Sequence, residues 1–411
     1  MATREEIKEE KKKPHPQLDE VYNLIKSRGF PYYSTDNIWR TKSFENLVTF
    51  QRDKLIDKEK KVIGQSSHGL NLAWSFMEHA WDIKCGKMRT PIEIWNDEEH
   101  LKKGINKILT GTFFKEKSSS ANEGDFGEEH SPIRKIKNET IGKVTFKRAR
   151  QKETSSSITD SDMRSMLRRY SGTQMVSNFR PTAAAAMYDI FVDKDAPLEG
   201  TTAGTVWDPS MGYGGRLLGA IAAGVNYIGT DPCIPTYKGL EQIRDTYGHS
   251  HKSYTLLREG SETYIPEEQS LDFVFTSPPY FGWEAYGDEP EQSSIKFDST
   301  EEWKEKFLKQ TISNAHRGLK DGKYLALNVA NTKQYKTFEE DTVNLAKSVG
   351  FTHTDTWWLS LSTQQGGSAI VDISESNAKV EETKQKQQYM GEFVRPEISG
   401  RKFEPTFIFQ K

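Results

Sequence analysis

Between Thr205 and Phe409 the chain alternates short apolar runs with longer helical patterns, and this alternation constrains the fold more than any other feature. The runs at 205–207, 227–230, 253–257, 271–276, 323–329, 352–359 and 405–409 read as strands, and the stretches at 217–223, 236–246, 300–318 and 338–349 read as helices. Strands that alternate with helices pair in parallel through right-handed crossovers, with helices on both faces. The expected fold class is therefore α/β, a doubly wound, mostly parallel sheet whose ligands bind beyond the carboxyl ends of its strands.

Two of those ends carry chemistry. Leu271 to Thr276 reads as a buried strand that must stop at Ser277, because Pro278 and Pro279 have no backbone N–H for a ladder and push their predecessors toward extended geometry. The chain leaves the sheet as a stiff loop whose carbonyls lack local donors, closed by the aromatic ring of Tyr280. Such a loop suits a planar group bearing an NH2, accepting its hydrogens while the ring stacks on it. The second end is Asp208-Pro209-Ser210-Met211-Gly212-Tyr213-Gly214-Gly215, between a strand and a helix. Its glycines permit positive φ and close approach of a ligand, and Asp231, ending the next strand, can accept both hydroxyls of a ribose. No Lys-Ser or Lys-Thr follows the glycines, and Asp208 would repel phosphate but suit an ammonium. A dinucleotide and S-adenosylmethionine both remain, and the acid favours the latter.

These motifs resemble the amino-group DNA methyltransferases, whose first motif is commonly Asp-Pro-Phe-x-Gly-x-Gly and whose catalytic motif is Asp, Asn or Ser before Pro-Pro and an aromatic. Ser210 replaces the phenylalanine here. Asn178 to Thr182 is similar to a further cofactor motif of the family, and Glu404 to Phe409 to its last strand; the likeness spans about 174–411. The aromatic N-terminal region, and the Pro278-Pro279-Tyr280-Phe281 loop leading to Tyr286, Gly287, Asp288, Glu289 and Pro290, are also similar to phage-encoded members. The resemblance implies a Rossmann-like methyltransferase sheet that binds S-adenosylmethionine through Phe179, Thr182, Asp208, Ser210, Gly212, Gly214, Asp231, Ser261 and Glu262. In it, Asp208 lies near the methionine amino group, Asp231 on the ribose, and Ser261 or Glu262 near the adenine. It implies catalysis by Ser277, Pro278, Pro279 and Tyr280 on a base flipped from double-stranded DNA, with Phe281 or Trp283 as helpers. Transfer to N4 of cytosine is slightly favoured over N6 of adenine. Methylation of RNA or protein, and a catalytically silent binder of cofactor or DNA, are the alternatives.

The remaining chain is read from composition. Residues 1–16 form a charged tail, 17–111 an aromatic-rich and largely helical domain offering possible DNA contact, 112–158 a Ser-rich basic insertion, and 159–411 the methyltransferase domain. Helices are expected near 69–83, at 97–108 with Asn96 as cap, and from Asp160 or Ser161 to Tyr170. A net charge of −2 gives no global basic signature, so any DNA-binding face must be local, for example Lys147, Arg148, Arg150 and Lys152 with Arg164, Arg168 and Arg169. Cys85 and Cys233 match no metal or redox spacing, and His68 and His79 read as structural histidines. No metal, no membrane span and a cytoplasmic location in a bacterial or phage-infected cell are expected.

Overall fold

The computed structural model describes residues 14–111, 113, 158–193, 204–282, 284–332, 334–361, 396 and 402–411. The tail up to residue 13, Lys147, Arg148, Arg150 and Lys152 of the basic insertion and Trp283 lie outside the described residues. Two compact units are present, one drawn from Met1–Tyr32 and Lys87–Val176, the other from Tyr33–Gly86 and Ser177–Lys411.

In the larger unit the strands are, in chain order, β1 (Ile56–Asp57), β2 (Val62–Ile63), β3 (Lys84–Cys85), β4 (Thr205–Asp208), β5 (Asn226–Thr230), β6 (Tyr254–Leu257), β7 (Leu271–Thr276), β8 (Glu284–Ala285), β9 (Leu319–Asn328), β10 (Thr352–Leu361) and β11 (Lys402–Gln410). The main sheet has the order β1-β2-β10-β11-β9-β7-β4-β5-β6. β6, β5, β4, β7 and β9 run parallel, while β11 lies antiparallel between β9 and β10. This is the doubly wound, Rossmann-like arrangement that the alternation predicts. The strand order reverses at β4 and β7, the crevice where such sheets take ligands.

Burial on both faces explains the near-continuous apolar run of β7. On one side Phe273 stacks on Phe191 with centroids 5.2 Å apart, and Tyr188 meets Phe273 and Phe275 edge-on, all from the helix Pro181–Phe191. On the other, Val274 joins Trp207, Leu325, Phe407, Trp303 and Phe338. Each such side chain, once buried, contributes about 1.5–3 kcal/mol.

The domain boundaries differ from the sequence expectation, because 33–86 belongs with the sheet rather than with a separate N-terminal domain. β2 adds to the sheet edge beside β10, pairing Val62 with Trp358 and Ile63 with Leu359. Arg52 holds Asp189 at 2.7 Å, and Gly69 lies against Leu47 and Pro181. The helix expected near 69–83 is broken into Leu70–Trp74 and a short 3-10 turn at Glu78–Asp82. A continuous helix would bury one face only, whereas the six consecutive residues Leu72, Ala73, Trp74, Ser75, Phe76 and Met77 are all buried. The backbone at Phe76 also packs so closely on Gly239 that an added Cβ there would sit 2.5 Å from the Phe76 oxygen.

The smaller unit is helical: Leu18–Ser27, Pro91–Asn96, Glu98–Leu109 and Asp160–Arg169 surround Val21, Ile25, Leu101, Ile105, Met163 and Met166. Its caps are displaced by one or two residues from expectation. Asp97, not Asn96, accepts the His100 N–H at 3.0 Å, and Thr159 forms a capping box with Asp162 in place of a cap from Asp160 or Ser161.

Candidate active site

The glycine loop leaves β4 at Asp208 and enters the helix Gly215–Ala223. Gly212 and Gly214 adopt φ of +53° and +80°, a conformation that side chains disfavour. Gly215 is required by proximity instead: an added Cβ would lie 1.8 Å from the Phe179 carbonyl oxygen. The stretch around Phe179 thus crosses directly over the first helical turn. Asn178 Nδ2 donates to the Tyr213 carbonyl at 2.9 Å, the Arg216 guanidinium sits over the Phe179 ring at 5.4 Å, and that ring meets Phe275 edge-on at 5.2 Å. Three sequence motifs far apart in the chain therefore meet. Thr182 is fully buried and donates to the Ser66 carbonyl at 3.3 Å, which ties it to the N-terminal segment.

Asp208 corrects one expectation. It is wholly buried, and its Oδ2 accepts Arg216 Nε and the Tyr227 hydroxyl, each at 2.8 Å, while Oδ1 takes the Ser210 N–H at 3.3 Å. Arg216 also donates to the Ser210 carbonyl. With no exposed atom and a buried ion pair to Arg216, Asp208 braces the loop from below and has no face open to a ligand's ammonium group. Ser210 supplies backbone to this brace.

Asp231 lies just beyond β5, half-buried, with Oδ2 accepting the Gly212 N–H at 2.9 Å and Oδ1 the Cys233 N–H at 3.0 Å. Burial pushes its carboxyl up to about 7 against the lowering effect of those two donors. The glycine loop is thereby tied to the carboxylate expected to hold a ribose. Each oxygen keeps acceptor capacity for a hydroxyl.

Beyond β6, Ser261 Oγ pairs with Thr311 Oγ1 at 2.8 Å, and Asn314 Nδ2 donates to the Ser261 and Glu262 carbonyls at 3.2 Å. Glu262 Oε1 accepts Lys296 Nζ at 2.6 Å, and its Oε2 is buried with no hydrogen-bond partner among the described residues. Of the two, Glu262 has the acceptor left to offer an amino group. A small, mostly apolar crevice brings together Ser210, Ser261, Thr276, Pro278, Thr311 and Leu327. Residues from the ends of β4 and β7 and from the turn after β6 thus share one space.

At the end of β7, Pro278 is buried while Ser277, Pro279 and Tyr280 are partly exposed. Tyr280 is firmly held: its hydroxyl donates to Glu404 Oε1 at 3.0 Å and its ring meets Phe338 edge-on at 5.8 Å. Burial beside Glu404 raises the phenol well above its ordinary value, so it stays protonated. Phe281 lies against Trp303 at 5.7 Å.

Composition gave no hint that 66–86 roofs the glycine loop. Trp74 and His79 approach the Tyr213 ring at 5.4 and 5.9 Å, and β3 pairs antiparallel with β8, just past the Pro-Pro-Tyr loop. Both histidines have partners, His68 Nδ1 with Ser66 Oγ at 2.6 Å and His79 Nε2 with Thr236 Oγ1 at 2.9 Å. Burial lowers His79 to about 4, leaving it neutral at pH 7. Arg216, Tyr227 and Glu284 were also missed, whereas Tyr286 stands in the run similar to phage-encoded members. Arg216, directly after Gly214-Gly215, was the one with a visible signal.

No protein-family model and no curated protein matches this chain. Among solved structures it is similar to a SAM-dependent methyltransferase from Methanosarcina mazei at 14% identity and TM-score 0.33, over 55% of this chain and 96% of that one. A TehB-like SAM-dependent methyltransferase from Corynebacterium glutamicum gives 12%, 0.32, 61% and 96% on the same measures. The cyclopropane synthase MmaA2 from Mycobacterium tuberculosis gives 16% and 0.29, over 39% of this chain and 59% of that one. At these scores the likeness carries no argument about chemistry, which rests on the residues above. Among the described residues no helix is long and apolar enough to cross a membrane, and no group of three or more His, Cys, Asp or Glu is placed to hold a metal ion.

Proposed function

We propose that this chain transfers a methyl group from S-adenosylmethionine to an exocyclic amino group of a base in double-stranded DNA. The observation that carries the reading is the convergence, at the carboxyl ends of β4, β5 and β7, of a positive-φ glycine loop, the Asp231 carboxylate tied to it, and the Ser277–Tyr280 loop. The residues fit the cofactor. The Gly212 to Gly214 backbone permits close approach, Asp231 can accept ribose hydroxyls, and the orphaned Glu262 Oε2 can accept an adenine amino group. When bound, S-adenosylmethionine supplies an electrophilic methyl on a sulfonium.

The chain's own contribution is positioning and polarisation. An exocyclic amine conjugated to a base is a weak nucleophile, so the Pro278 carbonyl and Ser277 accept its hydrogens and direct its lone pair. Tyr280, fixed by Glu404 and Phe338, supplies a rigid aromatic wall for a base flipped out of the duplex. Attack is direct, and no cysteine stands in the loop to form a covalent intermediate. N4 of cytosine is slightly favoured on Ser277. The smaller unit with Arg164, Arg168 and Arg169, and the basic residues Lys147, Arg148, Arg150 and Lys152, are proposed to contact DNA.

Purified chain, labelled cofactor and separate duplex DNA, RNA and protein acceptors test this. Incorporation into duplex DNA, abolished by Pro278→Ala, is expected. Labelling of RNA or protein in its place reassigns the acceptor, and cofactor binding without any transfer removes the enzymatic reading.

A further inference from the structure

Beyond Tyr280 the chain runs through β8 and the short helix Ser293–Lys296 before the next helix opens at Thr300. Its glycine, proline and charged residues would suit a solvated loop. Instead Glu289, Gln292 and Ser293 are buried, and their partners explain why. Glu289 Oε1 accepts the Ile234 N–H at 2.7 Å, in the first turn of the helix Ile234–Tyr247, while its Oε2 accepts Gln292 Nε2 at 3.0 Å. Cys233 Sγ donates to the Tyr286 carbonyl at 3.5 Å, and the N–H of the same Cys233 is the one that Asp231 accepts. Trp303 Nε1 donates to Ser293 Oγ at 3.1 Å. The run 284–296 is thus a strap, paired with β3 at one end and anchored beside Asp231 on its way. It ends at Lys296, whose Nζ donates to Glu262 Oε1 at 2.6 Å.

The Glu262 carboxylate is confined on two sides. An added Cβ at Gly260 would lie 2.3 Å from Oε2, so glycine there is what leaves room for the group, and Lys296 holds the other oxygen. The side chain is only 5% exposed, yet Oε2 has no hydrogen-bond partner among the described residues. A buried acceptor left empty is costly, and a ligand donor removes that cost. We infer that Lys296, delivered by the strap, is a specificity-determining residue for the cofactor's purine. A carboxylate whose Oε1 is held by an ammonium offers only an acceptor at Oε2. It takes the amino group of adenine and repels the ring carbonyl that stands in the same place in hypoxanthine. Without the ammonium nothing fixes Oε1 or balances the buried charge, and the discrimination is lost. This rests on the reading of the Ser261–Glu262 turn as the adenine end of the cofactor site. It also makes one continuous segment, from Ser277 to Lys296, serve both the acceptor loop and the cofactor's purine.

The test is calorimetric binding of S-adenosylhomocysteine and S-inosylhomocysteine to the intact chain, Lys296→Met and Lys296→Arg. The ratio of the two affinities cancels any general weakening of the site, which separates specificity from a merely structural role. The intact chain is expected to favour the adenine compound by about tenfold or more. Lys296→Met keeps an unbranched stem without the charge and is expected to narrow the ratio to about threefold or less, whereas Lys296→Arg keeps the charge and most of the preference. An intact-chain ratio surviving in Lys296→Met, or no preference in the intact chain, overturns the proposal, while binding of S-adenosylhomocysteine leaves the cofactor reading standing. An intact chain that binds neither compound overturns both.

Discussion

The glycine loop and the Pro-Pro-Tyr loop sit at neighbouring strand ends but are stabilised in opposite ways. The first is fixed by backbone conformation, backbone packing and one buried ion pair: positive φ at Gly212 and Gly214, the Gly215 contact with the Phe179 carbonyl, and the Arg216–Asp208 pair directly beneath. The second, deprived of N–H groups by two prolines, is fixed by side chains from distant elements, Glu404 on β11 and Phe338. In the proposed reading, the side that would hold the cofactor is rigid in its backbone, whereas the side that would hold the acceptor depends on its supports. Substitutions should divide the same way, between cofactor binding and stability on one side and turnover on the other.

The largest effect is expected at the buried pair. Asp208→Asn leaves the Arg216 charge buried without compensation and should cost about 3–5 kcal/mol in denaturant unfolding. Replacing both, as Asp208→Leu with Arg216→Met, should recover much of that loss. No recovery would mean that Asp208 has a role beyond bracing. Next is Gly215→Ala, which drives a Cβ into backbone rather than a flexible side chain, costing about 1–3 kcal/mol and weakening cofactor binding by calorimetry.

Asp231→Asn should separate the two properties. The Asp231 carboxyl is held up to about 7 in the folded chain, above its ordinary value. The stability it contributes is complete below the ordinary carboxylate range and is lost as pH rises through about 7. Asn should abolish that loss and flatten the melting temperature against pH, while cofactor affinity falls about tenfold, or about 1.4 kcal/mol. Equal cofactor affinity in the two proteins would remove Asp231 from the site. The smallest effect belongs to Tyr280→Phe, which keeps the ring but loses the bond to Glu404. Stability should drop by about 1–2 kcal/mol, with cofactor affinity unchanged and kcat modestly reduced.

The sheet was legible because a parallel, doubly wound fold writes each strand as a separate apolar run, and glycine loops announce themselves through residues that only special backbone needs. Contacts made by long-range packing were not legible. β1 and β2 are two-residue strands whose register depends on β10, hundreds of positions away, so 33–86 read as part of another domain. The identity of Asp208 was visible, but not that Arg216 would turn beneath the loop to take its charge. Likewise the aromatic ring of Tyr280 was evident, while its partner Glu404 lies on the final strand.

Methylation of an amino group on DNA is best tested by mass spectrometry of nucleosides from the DNA of cells expressing the chain, beside cells expressing Pro278→Ala. N4-methylcytidine, or else N6-methyladenine, is expected with the intact loop and not with the variant. Unmodified DNA from cells that contain folded, cofactor-binding protein would refute the assignment.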